Sequence, residues 1–298
     1  MTADQYQFTN PVTRYPSKPG SEQHQDAPGS QAKMSPIPDI GVESYRGTGR
    51  LSGRKALVTG GDSGIGAAVA IAFAREGADV ALSYLPEEEE DARTIVQLIE
   101  AAGVKAVALP GDLSDPSYCE SVVADTVNSL GGIDLLVNNA GKQVAADRVE
   151  NLSDDQFDKT LKTNVYGMFH VTKTAVPHMP PGSTIINTTS VQAYMPSPTL
   201  VDYATTKGAI NTFTKALAGQ LAGQGIRVNA VAPGPVWTPL QVSGGQPTEK
   251  LPDFGQNTPL GRPAQPAELA PAYVFLASGE SSFVVGETLN VNGGMPTP

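Results

Sequence analysis

Short apolar runs alternate with segments of helical period along most of this chain. Lys55–Thr59, Asp79–Tyr84, Lys105–Leu109, Asp134–Val137, Ser183–Thr189, Ile226–Ala232 and Thr288–Val291 read as strands. Between them Gly64–Gly77, Glu87–Ala102, Pro116–Leu130, Ser153–His178, Asp202–Gln224 and Pro266–Ala277 read as helices. Strands as apolar as Leu135-Leu136-Val137 suit positions covered on both faces. The alternation predicts an α/β fold: a Rossmann-like, doubly wound parallel sheet of about seven strands in three layers. Ligands of such sheets bind beyond the carboxyl ends of the strands. The loops after the first, fourth, fifth and sixth strands are therefore expected to carry function.

Residues 1–50 break the pattern: they are rich in Pro, Gly, Ser and Gln and follow neither period. Tyr6, Phe8, Tyr15, Met34, Ile37, Ile40 and Tyr45 are scattered through them, anchors that a pure linker does not need. Two readings stand, a disordered tail and an extended arm strapped along the body or along a neighbouring subunit. Residues 51–298 are expected to form one domain. With Lys+Arg 20 against Asp+Glu 30, a formal charge of -10, the chain is a poor partner for nucleic acid or anionic lipid. The single cysteine, Cys119, excludes an intrachain disulfide and a multi-cysteine metal site. His24, His170 and His178 lack ligand spacing, so no metal is expected. The stretch Met1–Tyr6 has neither a basic region nor an apolar core of a secretory signal. No segment approaches the ~18 apolar residues of a membrane span, and a cytoplasmic protein is expected.

Tyr203 and Lys207 stand four apart, which puts a phenol and an ammonium on one face of a helix. Ser190 lies thirteen residues before the tyrosine, at the end of the fifth strand. Far upstream, Thr59-Gly60-Gly61-Asp62-Ser63-Gly64-Ile65-Gly66 links the first strand to the first helix. Gly60, Gly64 and Gly66 let the backbone turn sharply and approach a diphosphate, to which the helix N-terminus offers free N–H groups. Together these features point to a nicotinamide-dependent oxidoreductase. Gly61-Asp62-Ser63-Gly64 looks like the nucleophile stretch of a trypsin-like protease. That enzyme needs an all-β double barrel with His and Asp upstream, and the only upstream histidine here is His24 in the arm. Gly-x-Ser-x-Gly is also missing at Ser63 and Ser190, which argues against a hydrolase.

Thr59-Gly60-x-x-x-Gly64-x-Gly66, Asn138-Asn139-Ala140-Gly141, Asn164, Ser190, Tyr203-x-x-x-Lys207 and Pro233-Gly234 occur in the order of the short-chain dehydrogenase/reductase family. The chain resembles that family over residues 50–295. The arm, Gln31-Ala32-Lys33-Met34, Ser83-Tyr84-Leu85-Pro86 and Gly141-Lys142-Gln143 resemble its bacterial aldehyde-reductase and general-stress subgroup. The resemblance implies that Tyr203 is the general acid/base, Lys207 tunes it and holds the nicotinamide ribose, Ser190 donates to the substrate oxygen and Asn164 holds a relay water. A free tyrosine has a pKa of about 10, and lowering it by ~3 units takes ~4 kcal/mol of preferential phenolate stabilisation. Lys207 and the positive nicotinamide are the expected sources.

The cofactor-binding set expected from turn and resemblance is Gly60, Asp62, Ser63, Gly64, Ile65, Gly66, Ser83, Tyr84, Asp112, Leu113, Asn139, Ala140, Gly141, Tyr203, Lys207, Pro233, Gly234, Val236 and Thr238. Asp112 can equally be a helix cap, as can Ser114 or Asp115. The second strand ends in Ser83-Tyr84-Leu85, with neither the acid that favours NAD nor an Arg or Lys for a 2′-phosphate. The subgroup points to NADP, with NAD also usable. Gln192, Tyr194 and Met195, close behind Ser190, are expected to line the substrate pocket, together with Trp237. Residues 236–264 form a long Pro/Gly-rich stretch, a mobile surface loop or a lid, and its Trp237, Leu240, Leu251 and Phe254 favour an apolar lid over an uncharged carbonyl or alcohol substrate. The family resemblance implies a homotetramer paired through the fourth and fifth predicted helices. An aldehyde reductase is expected, with an NAD-dependent sugar or polyol dehydrogenase as one rival and a non-catalytic dinucleotide-binding sensor as the other.

Overall fold

Seven parallel strands stand in the order β3-β2-β1-β4-β5-β6-β7. They are β1 (Lys55–Thr59), β2 (Asp79–Tyr84), β3 (Ala106–Pro110), β4 (Leu135–Asn138), β5 (Thr184–Thr188), β6 (Arg227–Pro233) and β7 (Thr288–Val291). The order reverses between β1 and β4, which opens a crevice at their carboxyl ends. In this computed structural model residues 4–18 and 20–297 are described. Met1–Ala3 and Pro19 of the expected arm, the first of them also in the stretch read for a targeting signal, and Pro298 lie outside the described residues.

Helices α1 (Gly64–Arg75), α2 (Glu89–Ala101) and α7 (Pro266–Ala277) belong to one face of the sheet. Helices α3 (Pro116–Leu130), α5 (Met168–Ala175) and α6 (Val201–Leu221) belong to the other. Alternation along β1 divides its side chains between them: Ala56 and Val58 pack with Phe73, Ile95 and Tyr273, while Leu57 packs with Val122, Val171 and Leu221. The caps follow the polar residues at helix starts. Asp115 accepts from Ser117 N–H at 2.8 Å and Ser153 from Gln156 N–H at 3.1 Å, so Asp115 rather than Asp112 caps α3.

The helix expected over Ser153–His178 is not uniform. It runs as α4 (Asp154–Leu161), a π-helical turn (Lys162–Gly167) and α5, with Asn164 inside the wide turn. Such insertions interrupt the regular ladder and recur at functional sites. Among the described residues no helix is long and apolar enough to cross a membrane.

Residues 4–18 and 20–50 run over the body through specific bonds. The Tyr15 hydroxyl donates to Asp39 at 2.6 Å, Asp39 N–H to Gln265 Oε1 at 2.8 Å, and the Trp237 indole N–H to Pro36 O at 2.9 Å. Near their end Glu76, fully buried, accepts from the Tyr45 hydroxyl at 2.6 Å, from Thr48 and Arg50 N–H groups at 2.8 and 3.0 Å, and from the Arg50 guanidinium at 2.7 Å. Burial alone would raise this carboxyl. The bonds from Arg50, Tyr45 and the backbone outweigh it and hold the group down to about 2.

A depressed carboxyl contributes stability above its unfolded value, about 4.3, and that contribution disappears as pH falls toward the folded value. Glu76→Ala, which leaves Arg50 and Tyr45 without their acceptor, is expected to cost about 3 kcal/mol or more in urea unfolding at neutral pH. Glu76→Gln should flatten the loss of stability between about pH 4 and pH 2; an acid limb identical to wild type would show that the network does not support the fold.

Candidate active site

The turn after β1 is stitched to the end of β4. Thr59 Oγ1 accepts from Asn139 and Ala140 N–H groups at 2.9 and 3.1 Å, and Asn139 Nδ2 donates to the carbonyls of Thr59 and Gly60, both at 3.1 Å. Gly64 opens α1 at φ +52, a left-handed value that a side chain resists. At Gly66 an added Cβ would lie 1.8 Å from Gly60 O, so the helix can start this close to the strand only without one. The first α-helical bond here runs from Ala67 N–H to Ser63 O at 3.0 Å. The N–H groups of Ile65 and Gly66 thus sit at the helix N-terminus, ahead of the bonded ladder.

A cleft of about 450 Å³ opens along this turn. Nineteen residues expected from the sequence line it together: Gly60, Asp62, Ser63, Gly64, Ile65, Ser83, Tyr84, Asp112, Leu113, Asn139, Ala140, Gly141, Ser190, Tyr203, Lys207, Pro233, Gly234, Val236 and Thr238. At one end the buried atoms Asp62 Oδ2 and Ser83 Oγ have no hydrogen-bond partner of good geometry among the described residues, although the Tyr118 hydroxyl lies close enough to Ser83 to interact with it. Buried polar groups are rarely left so, and two such atoms on a cleft wall fit the hydroxyls of a ribose. With the free N–H groups of α1, they match an adenosine diphosphate moiety. Among the described residues no group of three or more His, Cys, Asp or Glu could hold a metal ion.

Burial lifts the Asp62 carboxyl to about 6, and Asp91 adds to the rise. Glu88, also on the cleft, is lifted to about 8, by burial first and then by the nearby charges of Asp62 and Asp91. No Lys or Arg lines the wall formed by Asp62, Ser63, Ser83, Tyr84, Leu85 and Glu88.

Tyr203 and Lys207, one turn apart on α6, are both buried, with the ammonium nitrogen 5.2 Å from the phenol ring centre. Burial pushes the phenol up to about 12, opposed by the neighbouring Ser190 hydroxyl. This differs from the expectation of a lowered phenol: the lysine, itself brought down to about 7 by burial, is too weakly charged to reverse the desolvation. Lys207 Nζ donates to Thr188 O at 2.8 Å. Asn164 accepts from Lys142 N–H at 2.7 Å and donates to Lys142 O and Thr206 Oγ1 at 2.9 and 3.0 Å, so its side chain ties the loop after β4 to α6.

The expected substrate-pocket residues are placed elsewhere. Trp237 is fully buried in a small core with Met34, Val242 and Leu251, its ring 6.4 Å from that of Phe254. Trp237, Leu251 and Phe254 of the long loop thus grip one another and Met34 of the N-terminal segment, whereas Leu240 lines the cleft. Gln192 folds back to accept from Ser197 N–H at 2.6 Å, the Tyr194 hydroxyl reaches Asn211 at 3.3 Å, and Met195 is exposed. None of the four lines the cleft, and the wall is instead completed by Gln143, Lys159, Leu240, Gln241 and Ser243. Ala27, Pro28 and Gly29 also line it, with no signal in the sequence beyond the anchors around them.

Residues 60–296 match the family described as enoyl-(acyl carrier protein) reductase. The uncharacterized oxidoreductase YhxD of Bacillus subtilis is 56% identical over 97% of this chain and 98% of its own length. NADPH-dependent aldehyde reductase 1 of Arabidopsis thaliana is 44% identical over 90% of this chain and 94% of its own. The glucose and ribitol dehydrogenase of Daucus carota is 43% identical over 92% and 95%. A short chain dehydrogenase of Burkholderia cenocepacia, solved with NADP, superposes with a TM-score of 0.77 at 34% identity, covering 82% of this chain and 98% of its own. A 3-ketoacyl-(acyl-carrier-protein) reductase of Brucella melitensis, solved with NADH, does so with a TM-score of 0.74 at 33% identity, covering 82% and 98%.

If Trp237 anchors the loop rather than the substrate, Trp237→Phe lowers stability by about 1–3 kcal/mol, because Pro36 O loses its donor. The ratio of kcat/KM between any two substrates should not move; a changed ratio would return Trp237 to the pocket.

Proposed function

The chain belongs to the short-chain dehydrogenase/reductase family, as an NAD(P)-dependent oxidoreductase of carbonyl and alcohol groups, and from that premise we propose that it acts as an aldehyde reductase. Membership in a family of enzymes sets the non-catalytic sensor aside. The observation that carries this reading is the buried phenol of Tyr203 on the cleft wall, one helical turn from Lys207 and beside the Ser190 hydroxyl. A carbonyl oxygen gaining negative charge needs such a proton donor.

In this reading Ser190 donates a hydrogen bond to the substrate oxygen and stabilises its developing charge. Tyr203 gives that oxygen its proton. Lys207, titrating at about 7, returns a proton to the phenolate at neutral pH. Asn164, whose side chain ties the loop after β4 to α6, would hold the relay water in this reading. Bound nicotinamide would supply the hydride and, when oxidised, a positive charge beside the phenol. Ile65 and Gly66 N–H groups would hold the diphosphate, Asp62 and Ser83 the adenosine ribose, Asp112 and Leu113 the adenine, and Val236 and Thr238 the nicotinamide amide. Pairing of subunits through the expected fourth and fifth helices, the α4–α5 stretch and α6 of the structure, is supported by Phe157, Tyr166 and Phe169 on the first and Val201 at the start of the second, large side chains left exposed.

A second reading, a sugar or polyol dehydrogenase, is favoured by one atom. Gln241 Oε1 is buried on the cleft wall without a partner, and an acceptor in that state suits a substrate with additional hydroxyl groups. The name of the carrot relative points the same way.

Oxidation of NADPH and NADH against a panel of aldehydes, ketones and aldoses tests the proposal. Simple aldehydes are expected to turn over best, and Tyr203→Phe to lower kcat/KM by ~10²–10⁴ with coenzyme still bound. Turnover that survives the substitution would remove Tyr203 from the chemistry; turnover confined to polyols with oxidised coenzyme would favour the second reading.

Coenzyme choice should depend on pH. Asp62 and Glu88 gain negative charge as pH rises through about 6 and about 8, and that charge repels a 2′-phosphate but not a 2′-hydroxyl. The ratio of the NADPH to the NADH dissociation constant is expected to rise over that interval, and Asp62→Asn with Glu88→Gln to flatten it. A profile unchanged by the substitutions would place the 2′ position away from these carboxylates.

A further inference from the structure

We propose that the N-terminal arm is one wall of the dinucleotide site, and that Gln31 is the positioning residue through which it holds the phosphate-binding turn. The inference rests on the cofactor reading above and assigns a role to residues that lie outside the Rossmann domain.

Gln31 is buried between two helix starts. Its side-chain Oε1 accepts from the N–H of Gly64, the first residue of α1, at 2.8 Å. Its own N–H donates to Asp91 Oδ2, in the first turn of α2, at 2.7 Å, and Ala32 N–H reaches Asp91 Oδ1 at 3.4 Å. The carboxamide thus takes one donor of the α1 N-terminus and leaves those of Ile65 and Gly66 to a ligand. It also pins the left-handed Gly64, whose backbone sets where those two N–H groups point. A neutral acceptor does this without adding a charge that would compete with a diphosphate.

The segment just before it forms the wall. Gln25 brackets Ser30 with its side chain, Oε1 accepting from Ser30 N–H at 2.8 Å and Nε2 donating to Ser30 O at 3.1 Å. This closes the loop Ala27–Gly29, which lines the cleft. Gln25 N–H donates to Val242 O at 3.0 Å, and a Cβ on Gly29 would stand 3.1 Å from both Pro239 O and Ser243 Cβ. The arm therefore bridges the phosphate-binding turn on one side of the cleft and the loop after β6 on the other. A dinucleotide seated at α1 is enclosed by both, and its release requires their separation. Preorganisation of this kind raises affinity mainly by slowing dissociation.

The test uses the full-length protein with NADH or NADPH, whichever binds more tightly, and follows dissociation by coenzyme fluorescence. Gln31→Ala, which removes the acceptor, and Gly29→Val, which wedges the arm off the loop after β6, are each expected to raise koff by about fivefold or more. KM for the carbonyl substrate at saturating coenzyme should stay put, a split that general loosening of the fold would not produce. Bound coenzyme should also slow tryptic cleavage after the exposed Lys33. Wild-type koff in both variants, or cleavage indifferent to coenzyme, would overturn the proposal. A wild-type protein that binds neither coenzyme would defeat the cofactor reading beneath it.

Discussion

A buried lysine with no ion-pair partner among the described residues governs this site. Desolvation is the whole cause of the shift that brings Lys207 to about 7, and its ammonium donates to the carbonyl of Thr188. Isolated buried charge is costly enough that proteins usually neutralise it, so the group rests near half-protonation. The same burial raises the phenol of Tyr203. One dry environment therefore pushes a phenol and its neighbouring amine in opposite directions, so that near neutrality the phenol keeps its proton and the amine can exchange one. Pairs of groups separated in this way mark acid/base roles. Both hang from α6 at the end of β5, where Thr188 and Thr189 hold the lysine from the strand side.

The other end of the cleft runs on a related principle with the opposite charge. Asp62 and Glu88 crowd the wall with Asp91 behind them, and burial raises the first two. Asp91 accepts hydrogen bonds from the N–H groups of Gln31 and Ala32. The arm, the α1 terminus and the start of α2 are therefore parts of one electrostatic arrangement. Asp62 keeps an oxygen free on the cleft within it.

The strands and the order of chemistry along the chain were legible because they are local. An apolar run such as Ala56-Leu57-Val58 can only be a strand covered on both sides, and Tyr203 and Lys207 share a helix face by spacing alone. The glycine turn was readable for the same reason, since each glycine answers a backbone demand within a few residues. Trp237 was misread because its partners are distant: an apolar residue in a long loop looks like a lid until Met34 and Pro36, two hundred residues away, are seen to enclose it. Gln192 looked like a pocket residue from its closeness to Ser190, but a bond to Ser197 N–H turns it back. Asn164 sat in an apparently continuous helix, and nothing in its apolar period announces the π-helical turn around it. The burial that raises Tyr203 is a tertiary property that spacing along the helix does not encode.

The most direct measurement is an ultraviolet difference titration of phenolate in the complex with oxidised coenzyme, on wild type, Lys207→Met and Tyr203→Phe. The account expects one phenol that titrates near 12 without coenzyme and falls toward neutrality when the complex forms. That step should be lost in Tyr203→Phe and displaced upward in Lys207→Met. A phenol near 12 in every state, or a titration indifferent to Lys207, would contradict the claim that this buried pair handles the proton.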